Sequence, residues 1–132
     1  MKSEISTTIT KTKINILLIE DDEDLRDSLS LYFQTRGNIN LIKLENAESA
    51  FELIKQNHFD VIICDFRLPG LNGIDFFKQI SFNESSIKIL ISAYANDDIV
   101  EDVRKIGINS LIKKPFTGEQ IELSIFKYFN KI

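Results

Sequence analysis

The chain has 132 residues, 43% of them apolar and 27% charged, which suits one globular domain and excludes disorder throughout. Sixteen Lys and Arg against twenty Asp and Glu give a formal charge of -4, a balance that disfavours direct nucleic-acid binding. The single cysteine, Cys64, has no partner for an internal disulfide and points to a reducing compartment. No apolar run approaches the ~20 residues of a membrane span. The first eight residues, Met1 to Thr8, lack the apolar stretch of a signal peptide. The expectation is a cytoplasmic protein with no membrane partner.

Residues 1–12 are rich in Ser, Thr and Lys and read as a short mobile tail, leaving 13–132 as the domain. Strand-like and helix-like segments then alternate. Ile14 to Ile19 is a short branched apolar run, the mark of a buried strand. The acidic stretch Glu20 to Asp24 follows. Leu25, Leu29, Tyr32 and Phe33 recur at helical spacing, with Gly37 as the predicted stop. Residues 39–44 form the second predicted strand. Asn46 is placed to cap a helix that carries Ala47, Ala50, Phe51 and Ile54 on one face.

Val61 to Cys64 is a third strand that runs into Asp65. Pro69, Gly70 and Gly73 mark a loop. Ile74, Phe77 and Ile80 predict a third helix, and residues 87–91 a fourth strand ending at Ser92. Ile99, Val103 and Ile106 lie on a fourth helix stopped near Gly107. Residues 110–112 form a fifth strand before Lys113-Lys114-Pro115. Thr117 and Gln120 make a capping-box pair opening a last helix, with Ile121, Ile125 and Tyr128 on its core face. Leu123, Phe126 and Phe129 do not all fit that face. Short apolar strands alternating with amphipathic helices imply a parallel sheet covered on both sides.

Ligands of such sheets bind at the carboxyl ends of the strands. The polar residues fall there: Glu20 and Asp21 after the first strand, Asp65 after the third, Ser92 after the fourth and Lys114 after the fifth. Three carboxylates, a hydroxyl and an ammonium therefore share one cleft. Carboxylates so gathered stay ionised together only if a cation or proton intervenes. An all-oxygen set suits Mg²⁺, or Mn²⁺, which keeps waters and accepts phosphate oxygens. A carboxylate can also attack phosphorus to form an aspartyl phosphate. That transfer needs positioning and neutralisation of the equatorial oxygens, which a metal, Lys114 and Ser92 would supply.

The segments Ile19-Glu20-Asp21-Asp22, Asp65-Phe66-Arg67-Leu68-Pro69-Gly70-Leu71-Asn72-Gly73, Ile91-Ser92-Ala93 and Lys114-Pro115-Phe116 together resemble the receiver domain of two-component response regulators. The resemblance covers about residues 13–131. It implies a flavodoxin-like three-layer α/β/α sandwich with five helices and a five-stranded parallel sheet in the order 2-1-3-4-5. It makes Asp65 the phosphoryl acceptor, supplied by a sensor histidine kinase or a histidine phosphotransfer protein. Glu20, Asp21, Asp65 and the backbone carbonyl of Arg67 would hold Mg²⁺. Ser92 would be the switch hydroxyl, Lys114 the phosphoryl contact, and the Lys114-Pro115 peptide would be cis.

The resemblance also implies output by binding an unidentified downstream protein. It offers the last two helices and the strand between them as a homodimer surface. The sequence departs from the family at Leu111, where a rotating aromatic residue is usual. Arg67 and Tyr94 fall at positions that tune phosphoryl lifetime in that family, and both are large. They are expected to hinder an attacking water.

As the chain ends just after the fifth predicted helix, a stand-alone receiver is the first reading. The alternative is a receiver piece of a larger regulator with a DNA-binding or enzymatic output domain. An aspartyl-phosphate phosphatase of the haloacid-dehalogenase type would want a second Asp two residues after the first, where this chain has Arg67. A flavin-binding module would want a Ser/Thr/Gly-rich loop after the first strand, where this chain has five acidic residues. The expected protein is a phosphoacceptor switch rather than an enzyme proper.

Overall fold

The computed structural model of the protein describes residues 13–80 and 85–129. The expected tail over residues 1–12 and the last three residues of the expected domain lie outside them. In chain order the elements are β1 (Ile14–Ile19), α1 (Glu23–Gln34), β2 (Ile39–Leu44), α2 (Glu48–Gln56), β3 (Val61–Asp65), α3 (Gly73–Ile80), β4 (Ile87–Ser92), α4 (Asp97–Ile106), β5 (Ser110–Lys113) and α5 (Gly118–Phe129). The strands form one parallel sheet in the order β2-β1-β3-β4-β5.

Strand periodicity divides the core in two. Leu17, Ile19, Ile62, Cys64 and Leu90 face one side, with Ala50 of α2, Ile74, Phe77 and Ile80 of α3, and Ile99 of α4. Ile16, Leu18, Val61, Ile63, Ile89 and Ile91 face the other, with Leu29 and Phe33 of α1 and Ile121 and Ile125 of α5. Both faces are thus covered, which is why the strands are continuously apolar rather than alternating.

Local capping agrees with the sequence at most helix ends. The Asp22 carboxylate accepts from the amides of Asp24 and Leu25 at the start of α1. The Ser49 amide donates to Asn46 Oδ1 at 2.9 Å ahead of α2. The capping box of α5 is complete: the Thr117 amide donates to Gln120 Oε1 at 2.8 Å and the Gln120 amide to Thr117 Oγ1 at 3.2 Å. Gly107 ends α4 in the left-handed region at φ 90°.

Gly37 is not the stop of α1: the helix ends at Gln34 and its cap, Thr35, keeps right-handed helical angles. The positive-φ glycines among the described residues are Gly70 and Gly107. On α5, Phe126 and Phe129 are half-buried against the second core face, and Leu123 alone of the three stands out, 63% exposed. Tyr128, expected on the core face, is half-buried and donates its hydroxyl to the Asn109 carbonyl.

Register places the functional edge. Asp65 lies opposite Ile91, and Ser92 opposite Lys113. Three amides extend the ladder one residue beyond the strands: Glu20 to the Leu44 carbonyl at 3.0 Å, Phe66 to Ile91 at 2.8 Å and Lys114 to Ser92 at 2.8 Å. The backbone of Glu20, Phe66 and Lys114 is therefore fixed by the sheet rather than by loop conformation. The Lys114-Pro115 peptide is cis.

Candidate functional site

The ends of β1, β3 and β5 bring Glu20, Asp21, Asp65 and Lys114 together. Glu20 is fully buried and Asp65 is 4% exposed, while Asp21 is open to solvent. Glu20, Asp21 and Asp65 each offer a carboxylate oxygen within 4.8 Å of the others. Lys114 Nζ donates to Asp65 Oδ2 at 2.9 Å and stands 3.2 Å from Glu20 Oε1. The second contact is an ion pair without hydrogen-bond direction: Glu20 Oε1 is buried with no hydrogen-bond partner. A buried carboxylate oxygen left this way is costly unless a further donor or cation meets it.

The electrostatics follow from this crowding. Burial pushes the Glu20 carboxyl up to about 7; the amide of Asp22, donating to Oε2 at 3.1 Å, works against it, and the Asp65 carboxylate adds to it. Burial alone would lower the Lys114 ammonium, but its hydrogen bond to Asp65 and the charges of Glu20 and Asp65 prevail, and it ends above its ordinary value. One ammonium thus faces two buried carboxylates and an exposed one. The oxygen-only donor set and the unbonded Glu20 oxygen fit a hard divalent cation.

Ser92 is buried, 1% exposed, and its hydroxyl oxygen accepts the Tyr94 amide at 2.9 Å. A hydroxyl that accepts one bond keeps its own proton to donate. The Arg67 amide makes a long contact of 3.4 Å to Asp65 Oδ1. Its guanidinium lies over the Tyr94 ring, 4.7 Å from the centroid. Asp21, Phe66, Arg67, Leu68, Pro69 and Asn72 line an open depression of about 490 Å³ beside the carboxylates. A larger groove of about 700 Å³ runs along β5 and α5 and leaves the carboxylates aside.

Two supporting residues escaped the sequence reading, and a third, Gly73, was read as a loop marker though it opens α3. Arg26 donates from Nη1 to the Glu20 carbonyl at 2.8 Å, holding the turn after β1. It is the sole Lys or Arg between Lys13 and Arg36, and a lone cation in an acidic stretch was the available signal. Glu48 of α2 accepts the Leu71 amide at 2.9 Å and pins the loop after β3. At Gly73 an added Cβ would overlap the Asp65 carbonyl oxygen and come within 2.8 Å of Leu90, so α3 starts in close contact with the end of β3.

The remaining expectations divide. Lys113 is exposed, while Lys114 turns into the cluster. Cys64 is fully buried, and burial, with the charges of Asp65 and Glu20, keeps its thiol protonated as a small core residue. His58 is exposed at the opposite sheet edge, 3.4 Å from Asp60. Leu111 is half-buried against the first core face.

Residues 16–126 match the sequence model of the response regulator receiver domain. The chain is 34% identical over 113 residues to a cyclic di-GMP phosphodiesterase of Thermotoga maritima, covering 85% of this chain and 30% of that one. It therefore spans less than a third of that relative. It is 23% identical over 122 residues to the chemotaxis protein CheY of Pseudomonas aeruginosa, covering 90% and 98% of the two chains. A response regulator protein from Burkholderia pseudomallei, solved with a phosphorylated aspartic acid, calcium ion and citrate, superposes with a TM-score of 0.80 at 20% identity, over 90% of this chain and 70% of that one. No helix among the described residues is long and apolar enough to cross a membrane.

The raised Glu20 carboxyl sets a pH dependence. A folded state that holds this proton more tightly than the unfolded chain loses stability as pH rises from about 4.5 to about 7, after which the penalty is constant. In metal-free protein, Glu20→Gln is expected to remove that part of the decline and to raise the melting temperature above pH 7. Thermal unfolding followed by circular dichroism from pH 5 to 8 measures it; an unchanged slope would show that Glu20 ionises without cost.

Proposed function

The chain belongs to the response regulator receiver domain family, and on that premise we propose that it is a signalling switch that accepts a phosphoryl group on Asp65. The observation that carries the proposal is the convergence of Glu20, Asp21 and Asp65 on Lys114 at one sheet edge. The response regulator of the same fold from B. pseudomallei, solved with a phosphorylated aspartic acid and a calcium ion, supports it. In the transfer, an Asp65 carboxylate oxygen forms a bond to phosphorus. The bond from phosphorus to the donor breaks, and the donor leaves with that electron pair. No redox partner enters.

Each side chain has a part that its chemistry fits. Lys114 would shift from the Asp65 carboxylate to an equatorial phosphoryl oxygen, keeping its charge compensated throughout. Ser92 would donate its free hydroxyl proton to another. Glu20, Asp21, Asp65 and the Arg67 carbonyl would hold a divalent ion, Mg²⁺ or Mn²⁺. Such an ion supplies neutralisation of charge on a phosphoryl oxygen. The donor would be a histidine kinase or a histidine phosphotransfer protein.

Output would run through protein binding on the face of α4, β5 and α5, shared between a downstream protein and a second copy. Val100 and Leu123 are exposed there, 48% and 63%. Arg67 and Tyr94, both large and beside the cleft, would each hinder a water in line with the phosphoryl bond. The phosphatase reading is not favoured, because Arg67 stands where the second acid would be needed.

Incubation with Mg²⁺ and acetyl phosphate, followed by intact mass measurement, tests the central assignment. One added phosphoryl group is expected, absent with chelator and absent in Asp65→Asn. A gain that survives in Asp65→Asn would move the acceptor elsewhere. Loss of shielding should show separately: Arg67→Ala and Tyr94→Ala are each expected to speed decay of the phosphorylated form several-fold. Unaltered decay in both would remove the shielding role.

A further inference from the structure

Four residues at the site form a chain of three contacts that no part of phosphoryl transfer requires. The Arg67 amide reaches Asp65 Oδ1 at 3.4 Å. The Arg67 guanidinium covers the Tyr94 ring at 4.7 Å. The Tyr94 amide donates to Ser92 Oγ at 2.9 Å. The loops after β3 and β4 are thus joined at the surface by one side-chain stack. Each loop is also tied by a backbone amide to an oxygen of the site.

We propose that Arg67 is a phosphoryl-sensing residue that exchanges the Tyr94 ring for the new anion, so that modification of Asp65 uncovers Tyr94. The inference rests on the phosphoacceptor reading of Asp65.

Two physical changes act in the same direction. First, a phosphoryl group brings close to two negative charges and three acceptor oxygens to a position beside the Arg67 loop. A guanidinium bound to a ring face at an exposed site is held weakly, whereas a hydrogen bond to a phosphoryl oxygen is charge-assisted and stronger. Arg67 is exposed and its backbone is anchored near Asp65, so the exchange needs rotation of its side chain and no movement of β3. Second, a Ser92 hydroxyl turned toward the phosphoryl group relaxes its acceptance of the Tyr94 amide. Both restraints on Tyr94 then weaken together.

The ring is already 45% exposed under the guanidinium. Uncovered, it offers an aromatic face with a hydroxyl at its edge, the kind of side chain enriched at protein interfaces. This would also give the chain a mobile aromatic residue, which Leu111, packed aliphatically against the core, does not provide.

The experiment places 3-fluorotyrosine at position 94 alone, and in a second sample at position 32 alone. Fluorine NMR is recorded before and after addition of Mg²⁺ and acetyl phosphate, with phosphoryl content read by intact mass from the same tube. A new position-94 resonance should grow in proportion to the phosphorylated fraction, while the position-32 resonance stays in place. In unphosphorylated Arg67→Ala the position-94 resonance should already lie near the phosphorylated position, with at least half the parent's displacement. Mass gain with an unmoved position-94 resonance overturns the exchange. So does an Arg67→Ala protein that responds as the parent does, or an equal displacement at position 32. Absence of any mass gain in folded protein overturns the phosphoacceptor reading itself, and is told apart because it appears in the mass.

Discussion

Everything at the functional edge of this molecule answers to one electrostatic problem: two buried carboxylates and one exposed carboxylate are held within 4.8 Å of one another against a single ammonium. Like charges at that distance resist common ionisation unless something positive stands between them. Lys114 supplies part of the compensation; burial, with the Asp65 carboxylate adding to it, still pushes the Glu20 carboxyl up to about 7. In the proposed function, the residual negative charge is what would attract a cation. Glu20 Oε1 stands 3.2 Å from the Lys114 ammonium and has no hydrogen bond.

The fold concentrates that charge without loop strain. Parallel strands point their carboxyl ends the same way, and the order β2-β1-β3-β4-β5 sets β1 beside β3 and β4 beside β5. The ladder continues one residue past β1, β3 and β5, so the backbone of Glu20, Phe66 and Lys114 is set by the sheet. Two core faces of branched and aromatic side chains hold the sheet from both sides and provide the stability against which the charge cluster is maintained. A second polar cluster ties α1 to α5: the Tyr32 hydroxyl donates to Glu122 at 2.6 Å, and Arg36 donates to Glu122 at 3.1 Å. Tyr32 also packs on Gly118, where an added Cβ would lie 2.6 Å from the ring. The helix after the Lys114-Pro115 turn is thereby fastened to the helix after the acidic turn.

Much of this was legible in the sequence, for identifiable reasons. The strands were largely apolar runs of three to six residues bounded by turn residues, so the sheet and the sequence positions of Glu20, Asp65, Ser92 and Lys114 could be read together. The capping box at Thr117 and Gln120 is a local signal and was found as such. Gly37 misled because glycine marks both helix stops and ordinary turns, and only the backbone angle separates them. Arg26 and Glu48 were missed, and Gly73 was read only as a loop marker, because their roles depend on distance in space: a guanidinium meeting a carbonyl six residues back, a carboxylate reaching a loop 23 residues away, and a helix start touching a strand end. The contact between Arg67 and Tyr94 joins residues on separate strand ends, and no periodicity carries it.

The measurement that bears most directly on this electrostatic picture is a calorimetric titration of Mg²⁺ into the protein at pH 8, with Glu20→Gln and Asp65→Asn alongside. The charge cluster predicts saturable binding of one ion, weakened at least tenfold in each variant, with a matching rise in melting temperature for the parent alone. Folded parent protein that takes up no ion, or variants that bind as the parent does, would contradict it.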